Sequence, residues 1–371
     1  MTSGDQQALW RRASVVRMLV RIPVVVAALV TLASATSCTG SDPLATAVPP
    51  STSTPLPQLE VGCGVSELLI PDCGIWFGAS TPSYDGTFDY ERGLEEYEAV
   101  AANEPDILHF YQRGGEPFPT ERQRSLSERP GRQRSLLLIS WKPDPASTWR
   151  EIADGRADAA VDSVAAGIRS YPGRLFLTVH HEPENDVIDL PGSGMTTVDY
   201  VDMYRHVVGR LRASGVDNAV YVMNYMGFER WAPYVDELYP GDDVVDWIAY
   251  DPYGFVHHES FGDVINDPDE RGWVGFYEWA TKRAPGTPIM LAEWGIDPDL
   301  MSNASELIAD APRTLEDDFP MIKAAVYWND EGARVDARLR DGASLAPDYA
   351  TAYRLVAADP YFNATSTEDA P

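Results

Sequence analysis

Cysteine is nearly missing from this chain. Three in 371 residues are too few for a disulfide-stapled scaffold or a four-cysteine zinc site. Basic residues are scarce too: 29 Lys and Arg stand against 57 Asp and Glu, a formal net charge of −28. Such a surface repels phosphate backbones, which argues against nucleic acid as a partner, while a neutral polymer such as a polysaccharide is compatible with it. No glycine-rich turn follows the first strand-like run, where Gly78-Ala79-Ser80 stands. Its lack argues against the nucleotide-binding form of a doubly wound sheet. Around His180, His181 and Glu182 there is no His-Glu-x-x-His spacing, and adjacent strand residues face opposite ways, so they are not read as metal ligands. The apolar stretch Ile22 to Ala35 is shorter than the ~20 residues that span a bilayer.

What is present at the N-terminus has the order of an export signal. Arg11, Arg12, Arg17 and Arg21 precede the apolar stretch, and Ala35-Thr36-Ser37-Cys38 follows it. Cys38 behind small residues resembles the lipobox of bacterial lipoproteins. Residues 1–37 are therefore expected to be a signal peptide of lipoprotein type. Lipidated Cys38 would be the sole membrane contact of a cell-surface protein, with plain cleavage and secretion as the alternative. Residues 38–60, rich in Pro, Ser and Thr without periodicity, read as a tether. Cys63 and Cys73 remain, and outside a reducing cytosol such a pair reads as a disulfide closing a small loop ahead of the first strand. Residues 61–362 are enough for one large domain, expected to be monomeric, and 363–371 read as a polar tail that frays.

Within the domain, eight short apolar runs follow one another: 75–80, 106–112, 135–141, 174–181, 218–224, 244–250, 288–293 and 324–328. Most are continuously apolar, as parallel strands covered on both faces require. Amphipathic segments alternate with them, such as 158–171 with Val161, Val164, Ala165 and Ile168 at helical spacing. The second crossover, 114–134, is polar with no apolar stripe and predicts a short helix or a long loop. Eight alternations give an α/β fold of the (β/α)8 TIM-barrel class. In such a barrel functional groups gather at the carboxyl ends of the strands. Those ends carry Tyr111, Trp141, His181-Glu182, Asn224-Tyr225, Asp251 to Tyr253, Glu293-Trp294 and Trp328. Acids, amides and aromatic platforms suit a ligand with apolar C–H faces and a hydroxyl rim. Glu182 and Glu293 each end an apolar run, where a carboxylate serves folding poorly. Two such acids in one cleft are the proton donor and nucleophile of a glycosidase.

Several of these runs resemble glycoside hydrolase family 26. His181-Glu182 is similar to the family's His-Glu acid/base motif. The segment Tyr239 to Tyr253 looks like its sixth strand and approach, Pro288 to Gly295 like its seventh, and Ala324 to Trp328 like its eighth; the Trp141-Lys142-Pro143 end of the third run also fits. The resemblance spans 74–359. It implies that Glu182 is the general acid/base, Glu293 the nucleophile, His181 and Trp328 contacts to the sugar at the cleavage point, and Tyr253 the residue that orients Glu293. Trp141 and Tyr225 join the expected substrate contacts by their strand-end places. The expected activity is retaining, endo-acting hydrolysis of a β-linked polysaccharide without metal or organic cofactor. β-Mannan is the first candidate, then mixed-linkage β-glucan or β-xylan. Thr178 and Glu184 stand where the family often has Arg and Asn, which puts mannan in question and makes Glu184 a rival acid. A surface carbohydrate-binding lipoprotein that keeps the barrel without turnover is the reading from another class.

Overall fold

The computed structural model describes residues 63–82, 89–332, 334–363, 365, 366 and 370. The expected signal peptide, Cys38 and the tether lie outside the described residues.

Each of the eight apolar runs is a strand: β1 (Trp76–Ser80), β2 (Ile107–Arg113), β3 (Leu136–Lys142), β4 (Leu175–Val179), β5 (Ala219–Tyr225), β6 (Trp247–Tyr250), β7 (Ile289–Ile296) and β8 (Ile322–Trp328). They pair in parallel from β1 to β6, β8 lies beside β1, and β7 joins β8 to β6. The ring is closed, a (β/α)8 barrel. Tyr253–Gly254 add a short parallel pairing to the end of β7, at Gly295 and Ile296.

The helices are α1 (Tyr90–Ala101), α2 (Glu121–Ser127), α3 (Trp149–Ala153), α4 (Asp158–Ser170), α5 (Thr197–Ala213), α6 (Ala232–Val235), α7 (Phe261–Ile265), α8 (Phe276–Arg283), α9 (Ala304–Ala309), α10 (Ala311–Asp318) and α11 (Tyr349–Ala357). The polar second crossover holds only α2. With no apolar stripe to dock it, α2 is started instead by a reciprocal capping box between Thr120 and Gln123.

Strand residues divide by parity into two buried layers. Trp76, Leu138, Phe176, Val222, Trp247 and Met290 fill the barrel interior. Their neighbours Phe77, Ile139, Leu177, Met223, Ile248 and Leu291 pack outward under the helices. Both faces of every strand are thus apolar, which is why the runs do not alternate.

The floor is closed by the segment between Cys63 and Cys73. These are paired, with Cα atoms 5.6 Å apart. Leu69 is fully buried in the interior cluster, and its carbonyl accepts from Trp76 Nε1 at 2.7 Å, as the Leu68 carbonyl does from Trp247 Nε1. The C-terminal segment was expected to fray. Thr365 instead is buried and its hydroxyl donates to the Cys73 carbonyl at 2.8 Å, because the floor loop presents a carbonyl there that needs a donor.

Candidate active site

The carboxyl end of β4 departs from strand geometry. His180 and Glu182 both have positive φ, 55° and 49°, a conformation that costs non-glycine residues energy and concentrates at functional sites. The turn sends three neighbours in different directions. His180 goes outward, where its Nδ1 accepts from Trp149 Nε1 at 3.3 Å and its Nε2 meets Asp186 at 2.8 Å. His181 lies 5.3 Å, ring to ring, from Tyr111 of β2. Glu182 keeps a solvent-facing edge, and its backbone N–H is held by the Asn224 carbonyl at the end of β5.

Glu293 reaches the same place through an irregularity in β7. Leu291 pairs with Ala325 of β8 and Trp294 with Tyr327, three steps on one strand against two on the other. Strict alternation would send residue 293 outward with Leu291. The extra residue resets the parity and turns its carboxylate into the cleft. There Tyr111 Oη donates to Oε1 at 2.5 Å and Tyr253 Oη to Oε2 at 2.6 Å. Both oxygens of Glu293 are therefore engaged by phenols from β2 and from the segment after β6.

A third acid completes the cluster. Asp251 is fully buried, accepts from Asn224 Nδ2 at 2.9 Å and shares a hydrogen bond with Glu182. One oxygen from each of Glu182, Asp251 and Glu293 lies within 4.8 Å of the others. Burial, then the Glu293 charge, lifts Glu182 to about 8. Burial, Glu293 and Glu182 push Asp251 well above the carboxylate range. Burial raises Glu293 also, but the hydrogen bonds from Tyr111 and Tyr253 oppose it. The arrangement favours protons on Glu182 and Asp251 and the charge on Glu293. His181 is held neutral, well below its usual range, chiefly by burial and then by Lys142.

The other expected residues separate. Trp328 is half-buried and meets Tyr253 edge-on at 5.7 Å, at the rim of the cluster. Trp141 and Tyr225 do not reach it. Both are fully buried in the outer layer, where Trp141 Nε1 donates to the Gly114 carbonyl and Tyr225 Oη to the Val235 carbonyl. Their strand parity points them under the helices, and being last in a strand does not change that. Glu184 is buried too, its Oε1 accepting from the Met226 and Gly227 N–H groups, so it ties the β4 turn to the β5 loop and stands outside the acid cluster. Tyr111 and Asp251 are the residues that sequence reasoning placed at strand ends without a role. For both, inward parity was the available signal: Tyr111 shares it with Ile107 and Asp251 with Trp247 and Ala249.

Among the described residues two groupings could hold a cation. One is the acid cluster, whose protons would have to leave first. The other is His257, His258 and Asp267 in the loop after β6. There His258 Nδ1 accepts from the Phe255 N–H, which puts the ring proton on Nε2. That nitrogen then faces Asp267 as a donor and offers a metal no lone pair.

No family model matches the chain. Among curated proteins it is 24% identical over 283 residues to endoglucanase H of Acetivibrio thermocellus, covering 75% of this chain and 30% of that protein. It is 30% identical over 183 residues to a β-1,3-xylanase of a Vibrio species, covering 49% of this chain and 38% of that one. The chain thus spans only about a third of the length of these relatives. Among solved structures it superposes on a ruminal GH26 endo-β-1,4-mannanase with TM-score 0.53 and 17% identity, over 80% of this chain and 65% of that one. A β-mannanase from a protist symbiont of the termite Reticulitermes speratus gives 0.52 and 13%, over 80% and 90%. The chain is similar to glycoside hydrolase family 26. The likeness is one of fold: structures of that family share its barrel at low identity.

Proposed function

We propose that the protein is an exported, retaining, endo-acting glycoside hydrolase of β-linked polysaccharides. The observation that carries this reading is the Glu182–Asp251–Glu293 cluster at the carboxyl end of the barrel. One oxygen from each acid lies within 4.8 Å of the others, which supports a retaining mechanism, with carboxyl groups ~5–5.5 Å apart, over an inverting one, with ~6.5–9.5 Å between them. Glu293, charged and gripped by two phenols, attacks the anomeric carbon as Glu182 gives its proton to the departing glycosidic oxygen. Glu182, now a carboxylate, then takes a proton from water, which displaces Glu293 and releases the sugar with its original configuration. Trp328 and neutral His181 bound the sugar next to the bond being cut. β-Mannan is the first candidate, supported by the similarity to mannanases. Mixed-linkage β-glucan and β-xylan follow, in keeping with the names endoglucanase H and β-1,3-xylanase of its curated relatives. Export as a surface lipoprotein through Cys38 belongs to the same proposal and is supported by the order of charged, apolar and small residues at the N-terminus.

The test is stereochemical. Proton NMR of a digest should show the first-formed reducing end with the anomeric configuration of the cleaved bond, and Glu293→Ala should lower kcat by roughly four orders of magnitude or more while the fold persists. An inverted product, or full activity in Glu293→Ala, would remove the assignment.

A further inference from the structure

In a chain this acidic, most described basic side chains are taken by a carboxylate or a backbone carbonyl, as Arg150 is by Asp199 and Asp202, and Arg205 by Asp243. Among the described residues Arg113, Arg230, Lys323 and Arg334 have neither. Lys323 stands at the start of β8. The three arginines instead stand at or just after the carboxyl ends of β2, β5 and β8, on the face that carries the acid cluster.

Arg230 is built into that face. The Asn224 carbonyl holds the Glu182 N–H, and Met226 and Gly227 hold Glu184, so the loop bearing Arg230 is fastened to the acid/base turn. The guanidinium lies over the rings of Trp231, at 5.0 Å, and Phe228, at 5.7 Å, and its Nη2 approaches Met226 Sδ at 3.3 Å. A guanidinium seated on aromatic faces points its N–H groups edgewise, and those not turned to Met226 Sδ are the donors that grip a planar oxyanion. Partial burial and then the charge of Arg334 push Arg230 below the usual guanidinium range, against the pull of Glu182 and Glu184. Those two acids are lifted to about 8 and about 7, so at neutral pH Glu182 is mostly and Glu184 about half protonated, and their counter-charge is reduced. Arg334 thus stands near enough to act on Arg230, and among the described residues neither is in an ion pair.

We propose that Arg230 and Arg334 receive an anionic substituent of the polysaccharide, a uronate carboxylate or a sulfate ester, beside the Glu182–Glu293 site. The proposal rests on the glycosidase reading and narrows its substrate to an acidic β-linked polymer. The overall charge of −28 does not oppose it, since exposed charges farther off than ~8–10 Å are largely screened at physiological salt.

Matched polymers decide the matter: a β-linked polysaccharide with glucuronate branches, the same polymer with its carboxyls reduced to alcohols, and a sulfated form of the reduced polymer. Wild-type protein should show a KM about ten- to a hundredfold lower for one anionic form than for the reduced one, the range of a charge-assisted hydrogen bond. Which anionic form gains identifies the substituent. Arg230→Gln and Arg334→Gln should each shrink that KM ratio to within about threefold, and Arg230→Lys, which keeps the charge, should restore part of it. Thermal unfolding confirms that each variant is folded; a variant that is not is replaced by its Lys counterpart. A reduced polymer used as well as both anionic forms overturns the proposal, as does an equal loss on charged and reduced polymers in the Gln variants. If the wild type cleaves none of them, the glycosidase reading fails separately. Calorimetric binding of a glucuronate-bearing oligosaccharide and of its reduced form then still decides whether the arginines read an anion.

Discussion

In the proposed reaction Glu182 must hold a proton when the glycosidic bond breaks and lose it before water attacks, so its environment has to keep both states within reach. Burial and the neighbouring Glu293 charge lift it to about 8, while the hydrogen bond from Asp251 stabilises the charged form and pulls the other way. The sign follows directly. The proton donor is present below about pH 8 and is lost as pH rises through that value, so kcat/KM should fall tenfold per pH unit beyond it. Asp251→Ala removes the donor to Glu182 and should move this alkaline limb to higher pH. Asp251→Asn keeps a donating N–H and should leave the limb near its wild-type position. A limb displaced to lower pH in Asp251→Ala would mean that Asp251 is ionised and acts by repulsion, and the proton assignment within the cluster would be wrong.

At the scale of elements, what the sequence exposed and what it hid have physical causes. All eight strands were legible because each is covered on both faces and therefore continuously apolar. The roles of strand-end residues were less so. Trp141 and Tyr225 carry the right chemistry at the right height, and only parity sends them into the outer layer. Glu293 succeeds against parity because β7 carries an extra residue, and no residue in Met290 to Trp294 announces a bulge. The β4 turn is similar: nothing in His180-His181-Glu182 predicts two positive φ values, which cost of order 1–3 kcal/mol each. Its support is a charged chain. Lys142 Nζ donates to Asp186 Oδ2 at 2.9 Å, His180 Nε2 donates to the same oxygen at 2.8 Å, and Trp149 Nε1 donates to His180 Nδ1. Asp186 thus supports the Glu182 turn from outside the acid cluster. Asp186→Ala should lower kcat by about ten- to a hundredfold, the effect of a displacement near 1 Å, with a smaller change in KM and partial recovery in Asp186→Glu. Activity within twofold of wild type would show that the turn holds itself.

Over the whole molecule, chemistry and closure occupy opposite ends of the barrel, as the fold requires. The acid cluster sits where the strands finish. Where they begin, the Cys63–Cys73 loop inserts Leu69 into the interior cluster and receives the indole N–H groups of Trp76 and Trp247. The disulfide was legible from two cysteines left over behind an N-terminus with the order of an export signal, whereas the contact of its loop with Thr365 was not, since a polar tail carries no sign of what it will meet. A cross-link that closes a loop of this size restricts the unfolded chain and contributes about 2–3 kcal/mol in the loop-entropy account. For a domain of this length that corresponds to a melting temperature lower by about 3–4 °C in Cys63→Ala/Cys73→Ala. The floor lies away from Glu182 and Glu293, so kcat below the transition should stay near wild type. Both thiols should resist alkylation in native protein until a reductant is added. Quantitative alkylation without reduction would show the cysteines unpaired, and an unchanged melting temperature in the double variant would mean that Leu69 and the two indoles hold the floor without a covalent tie.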